Sequence, residues 1–199
     1  MIRSAIVVAC CMLAMACERP EQAAGAHGAP NAELRRLFED DQAARSGPIE
    51  SLDHDALQRA NSASRLRVGQ LERAGALRTA ADFRHAAMIM QHGVDSLDYL
   101  QAHVWASRSE MLDSSNIDVL WLVAASWDRY QMSRGRPQWY GTQTDRVPRG
   151  TGPVVLYDID TSRVSDAERQ RRGVGTLREL RARIEAMNRQ LGVKPGDPD

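Results

Sequence analysis

The stretch from Asp118 to Trp127, DVLWLVAASW, is the most apolar run of the chain beyond its N-terminal segment. It lies inside a helical pattern from Asn116 to Arg134, with Gly135 where a C′ glycine belongs. A helix apolar nearly all round has to be enclosed by other elements, so this one is expected at the centre of a bundle. The flanking segments supply the walls. Asn31 caps a helix to about Arg45, with Leu34, Leu37 and Phe38 on one stripe and Ser46-Gly47-Pro48 as its stop. Asp53 caps a second, whose expected inward stripe is Leu57, Ala60, Ala63, Leu66 and Leu71, ending before Gly75. Thr79 with Asp82 makes a capping-box start for a third, through Gln91 or His92. Gly93 weakens or bends it, and a further helix is predicted from about Asp95 to Met111.

After Gly135 the period changes. Gln138 to Thr144 and Val154 to Tyr157 read as strands around the turn-rich RVPRGTG, a hairpin signal over about 138–157. Ser165 and Glu168 then repeat the S-x-x-E cap of a short helix. A last amphipathic helix, about Thr176 to Leu191, carries Leu177, Leu180, Ile184, Met187 and Leu191 on one side. The expected fold is mainly α: a helical bundle of about six to seven helices with one small β-hairpin, spanning residues 31–191. Residues 192–199 read as a frayed, disordered tail.

The N-terminus reads as an address. MIRSAIVVACCMLAMAC places Arg3 before a 12-residue uncharged run, Ala5 to Ala16. That run is short of the roughly 20 residues needed to span a bilayer but suits a signal peptide over 1–16. Its end, Leu13-Ala14-Met15-Ala16-Cys17, resembles the lipobox of bacterial lipoproteins, which implies diacylglycerol on Cys17, with palmitate-type acyl chains, and the lipid bilayer as a partner. The alternative is an ordinary secretory signal cut near Ala16. By the lipoprotein sorting rule, Glu18 in place of Asp points to the periplasmic face of the outer membrane. Residues 18–30, ERPEQAAGAHGAP, read as a flexible tether. Cys10 and Cys11 leave with the signal, so the mature domain has no free thiol or disulfide. The 26 basic and 26 acidic residues balance, which with an envelope address argues against nucleic acid.

Four polar groups exceed what a plain bundle needs. Asp41, Gln42 and Arg45 close the first helix; alone they are an i,i+4 pair on a solvated face. His85 and His92 lie seven apart, about 20° apart around a helix, where each is either a hydrogen-bonded core residue or a ligand. Asp128 falls on the inward stripe of the central helix, beside Arg129, and a buried carboxylate there needs a partner, most simply a cation. The last group is Gln138-Trp139-Tyr140-Gly141-Thr142-Gln143, whose glutamines serve either a pocket or a buried network at the bundle–hairpin junction.

In order, D-Q-x-x-R (Asp41, Gln42, Arg45), Q-H (Gln91, His92), D-R (Asp128, Arg129) and Q-x-Y-G-T-Q (Gln138, Tyr140, Gly141, Thr142, Gln143) resemble a widespread bacterial family known as a domain of unknown function. The resemblance covers roughly residues 33–190 and extends to Arg172-Gly173. Where that family carries an acidic residue two places after the histidine, this chain has Val94, with Asp95 next. The resemblance implies that the four segments converge on one site, and it lends no activity. Catalytic candidates are His92, whose residue type ionises near neutrality, and Asp128 or Asp41 as its orienting carboxylate. Ligand-binding candidates are Gln42, Arg45, Gln91, Arg129, Gln138, Tyr140 and Gln143. G-x-S-x-G, reactive-Cys and phosphate-loop signatures are absent. So are strong zinc spacings; a metal would have to be built from His92, His85 and a carboxylate, and the reading calls for no cofactor and no metal. Three functions stay open: an envelope lipoprotein binding a small polar ligand, a hydrolase or lyase acting on a polar envelope metabolite through His92, and a structural or partner-binding lipoprotein without a site.

Overall fold

The computed structural model describes residues 28–46, 53–148 and 151–193. The signal segment, Cys17, most of the tether and nearly all of the tail lie outside them. Among the described residues there are seven helices and one two-stranded antiparallel sheet: α1 (Ala32–Ala43), α2 (His54–Arg73), α3 (Ala80–Gln91), α4 (Ser96–Leu112), α5 (Ile117–Ser133), β1 (Thr144–Arg146), β2 (Val154–Leu156), α6 (Asp166–Arg171) and α7 (Leu177–Gln190). The expected helical bundle with one small hairpin is the observed fold. No described helix is long and apolar enough to cross a membrane.

Helix α4 packs against both α3 and α5, and α1 and α2 cover α3. Small residues permit this: Ala86, Ala87, Ala102, Ala106, Ala124 and Ala125 are completely buried, and interaxial distance follows the size of the side chains at the contact. Leu34, Val68, Ile89 and Leu122 fill the space between them, each fully buried aliphatic side chain stabilising by about 1.5–3 kcal/mol. Trp121 links this core to a smaller one of Ala124, Val174 and Leu180 beneath the hairpin. Capping is as the sequence indicates. Thr79 and Asp82 form a full capping box, and the buried Asp82 also accepts from Asn31 N at 2.7 Å, tying the start of α1 to that of α3.

Three elements depart from expectation. On α2, Leu66 is 64% exposed and Ala60 and Ala63 face outward; the inward face is Asn61, Ser64 and Arg65, continued by Val68 and Leu71. Only the second half of α2 rests on the apolar core, and the first half flanks polar groups. The hairpin begins at Thr144, not Gln138. Gln138 makes an isolated parallel bridge to Ile159, and Trp139–Gln143 forms a loop because side chains, rather than a second strand, occupy its backbone donors. On α7, Met187 and Leu191 are exposed, and the buried partner of Leu180 is Asn188, which bonds Val154 N at 2.7 Å and Val154 O at 2.8 Å. That side chain pairs the outer edge of β2, a place where unsatisfied ladder groups invite association.

Candidate functional site

Asp41 sits in the last turn of α1 with its side chain 2% exposed, and His92 caps the C-terminus of α3. Their side chains meet across the two helices, with His92 Nδ1 3.1 Å from Asp41 Oδ1 and 3.0 Å from Oδ2. Arg45, one turn beyond Asp41, donates from Nη1 to its carboxylate at 2.6 Å and to its carbonyl at 2.7 Å. Gln42 Nε2 donates to Asp41 Oδ2 at 2.8 Å. The second Arg45 nitrogen reaches Asn61 Oδ1 on α2 at 2.6 Å. A carboxylate only accepts, so this pairing places the imidazole proton on Nδ1 and leaves Nε2 as the basic nitrogen. Among the described residues Nε2 makes no hydrogen bond.

The turn after His92 is held from three sides. Arg65 Nη1 donates to His92 O at 3.1 Å and Arg65 Nε pairs with Asp98 at 3.3 Å. Asp98 also accepts from Val94 N, and Tyr99 OH donates to Gly93 O at 2.9 Å. Gly93 is required by close approach, because a methyl there would overlap the Asp98 side chain. Beside this turn opens a cleft of about 500 Å³, lined by Val94, Asp95, Ser96 and Tyr99, by Arg129, Met132 and Ser133 of α5, and by Gln143. Burial pushes the Arg129 guanidinium below its ordinary range, the Tyr99 oxygen opposes that, and the Arg45 charge adds to it. The cleft and the Asp41–His92 pair are therefore electrostatic neighbours.

The convergence implied by the motifs is partial. Asp41, Gln42, Arg45 and His92 come together, and Arg129 and Gln143 reach the adjoining cleft. Asp128, Gln138 and Tyr140 do not. Asp128 is wholly buried and accepts from the backbone N–H of Trp139, Tyr140, Gly141 and Thr142 and from the Thr142 hydroxyl, all within 2.8–3.0 Å. The partner expected for it was a cation; four amides and a hydroxyl take that place. Burial pushes its carboxyl above the usual range, against those donors. It orients no histidine. Gln138 is likewise wholly buried, its amide spent on Gln143 N, Gln143 O and Tyr157 O. Tyr140 packs half-buried against the smaller core. Gln91 is 3% exposed, and its Oε1 is buried without a partner.

His85 and His92 are not a pair. His85 stacks on Phe38 with ring centroids 4.5 Å apart, and burial together with the Arg84 charge lowers its pKa to about 4. Among the described residues, no three His, Cys, Asp or Glu side chains group as a metal would require. Four contributors escaped the sequence reading. Asn61 and Arg65 continue the Val68 stripe of α2 at i, i+4 and i+7, and that periodicity was the signal for them. Tyr99 sits one turn into α4 with nothing to distinguish it. Arg169 is 1% exposed and donates to Trp139 O at 2.9 Å, Tyr140 O at 3.2 Å and Val164 O at 2.8 Å. Its sequence, ERQRR, resembles any solvated face. Compared with family models, curated proteins and solved structures, the chain matches none.

Proposed function

We propose that this chain is an envelope lipoprotein, anchored by an acylated Cys17 to the periplasmic face of the outer membrane, whose helical domain binds a small polar ligand in the cleft between the α3–α4 turn and α5. The observation that carries the reading is the ~500 Å³ cleft with the half-buried Arg129 on its wall, beside the Asp41–His92 pair. Concave sites with a few convergent polar groups and perturbed ionisation are where ligands bind. A thermal-shift screen of the full chain in detergent against a metabolite library tests it: a true ligand raises the melting temperature by mass action, and Arg129→Gln or His92→Ala removes that rise. A library without a single saturable hit would leave these residues with structural duties alone. Cys17→Ser tests the anchor, and its release from the membrane fraction is the expected result.

A second reading has its own support. An Nδ1–carboxylate bond with Nε2 uncommitted is the arrangement of a general acid/base, so His92 would move a proton and Asp41 would hold the ring. Hydrolase or lyase chemistry on a polar envelope metabolite fits that pair. Incubating envelope extract with wild-type protein and with Asp41→Asn, then comparing metabolite masses, separates the two readings: turnover consumes a compound, whereas binding leaves the composition unchanged.

A further inference from the structure

We infer that the ligand of the α3–α4/α5 cleft carries an oxyanion, a carboxylate or a phosphate, and that Arg129 is its docking group. The inference rests on the cleft being a ligand site and adds the charge of what enters it. Four other buried or half-buried arginines have carboxylate partners: Arg45 with Asp41 at 2.6 Å, Arg65 with Asp98 at 3.3 Å, Arg169 with Asp166 at 3.3 Å, and Arg172 with Glu110 at 2.7 Å. Arg129 is different. Its Nε is buried without a partner, its polar neighbour is the uncharged Tyr99 hydroxyl oxygen, and among the described residues no carboxylate pairs with its guanidinium.

A guanidinium offers five donors in a planar fork that matches carboxylate and phosphate oxygens, and it stays charged even when desolvated. Burying one without a counter-charge costs stability, and the Tyr99 hydroxyl oxygen offsets part of that cost without supplying a charge. The cleft's own carboxylate, Asp95, caps the start of α4 through Oδ1, accepting from Leu97 N at 2.9 Å and Asp98 N at 3.0 Å, and it forms no ion pair with Arg129. Tyr99 donates its hydroxyl hydrogen to Gly93 O, and its oxygen faces Arg129 without a charge. Ser96 and the Gln143 amide, which spends one N–H on Thr142 Oγ1 and keeps another, complete a lining able to donate to further oxygens, while the Ser133 hydroxyl is committed to Tyr130 O. The missing counter-charge is therefore one that the ligand brings.

The test uses the full chain in detergent with ¹⁵N at arginine Nε, titrated at constant ionic strength with inorganic phosphate, glutarate and uncharged glucose. At least one anion is expected to move the Arg129 Nε–H resonance saturably, with glucose inert. Arg129→Gln should weaken that binding at least tenfold while leaving the melting temperature equal or higher, since it removes an unpaired buried charge. Arg129→Lys should recover only part of the affinity. Phosphate winning over glutarate identifies a phosphorylated ligand, and the reverse a carboxylate. Anion binding undiminished in Arg129→Gln, or Arg129 responding to glucose alone, overturns the charge inference while leaving a ligand site. An Arg129 Nε–H resonance and a melting temperature both unmoved by all three probes overturn both.

Discussion

Asp128 and Arg129 are adjacent in the chain and about 100° apart around α5, and their surroundings give them opposite roles. Asp128 is an internal anion receptor turned inside out: five donors of one loop close on a single carboxylate. Asp128→Ala strands four backbone N–H groups in a buried place, each costing about 1–3 kcal/mol if unsatisfied. Partial relaxation to water should hold the total to about 3–5 kcal/mol in urea unfolding. Asp128→Asn restores little, because its NH₂ faces donors. Arg129→Gln is expected within ~1 kcal/mol of wild type or above it in the same experiment. A pair of neighbours that both destabilised strongly would mean that Arg129, too, belongs to the frame.

At the scale of elements, the α3–α4 connection fixes the site. His92 ends one helix, Asp95 caps the next, and Gly93 lies hard against Asp98 between them. Gly93→Ala should push Asp98 off its bonds to Val94 N and Arg65, destabilise by about 1–3 kcal/mol as overpacking does, and weaken cleft binding more than the lost stability explains. Thermal melts combined with titration separate those effects. The same connection marks what the sequence disclosed. Caps and 3.6-residue periodicity are local properties, so the helices and their breaks could be placed from Thr79, Asp95, Asn116 and Gly135 alone. Which face of α2 turns inward depends instead on the polar cluster that it meets, and Leu66, though apolar, turns to solvent. Gln138–Gln143 alternates like a strand, yet the backbone N–H groups of Trp139–Gln143 donate to side chains 5–14 residues away along the chain. The paired motifs located Asp41, Arg45 and His92 but could not assign Asp128 and Arg129 to separate duties, since only tertiary packing does that.

Across the whole molecule, stability comes without covalent staples, because all three cysteines lie within the first 17 residues. Helix packing and buried polar contacts must suffice, and those contacts make the fold sensitive to acid. His85 is 5% exposed and titrates near 4 in the folded chain against 6.5 when free. As pH falls through 6.5 the unfolded chain takes up a proton that the folded one refuses, so stability drops by about 1.4 kcal/mol per pH unit until the folded-state pKa is reached. The total is about 3 kcal/mol. His103, also lowered chiefly by burial, adds in the same direction. The lowered carboxyls of Asp82 and Glu168 act in a separate window: their stabilisation is complete above the ordinary carboxylate range and is lost below it. Urea midpoints measured from pH 7 to pH 4 should therefore decline before the carboxylates titrate. In His85→Leu, which keeps an apolar side chain against Phe38 and removes the unpartnered Nδ1, the slope should shrink to the His103 share, with stability at pH 7 changed by less than about 1.5 kcal/mol. An unchanged slope would move the acid sensitivity to other groups and remove His85 from the account of how this core responds to pH.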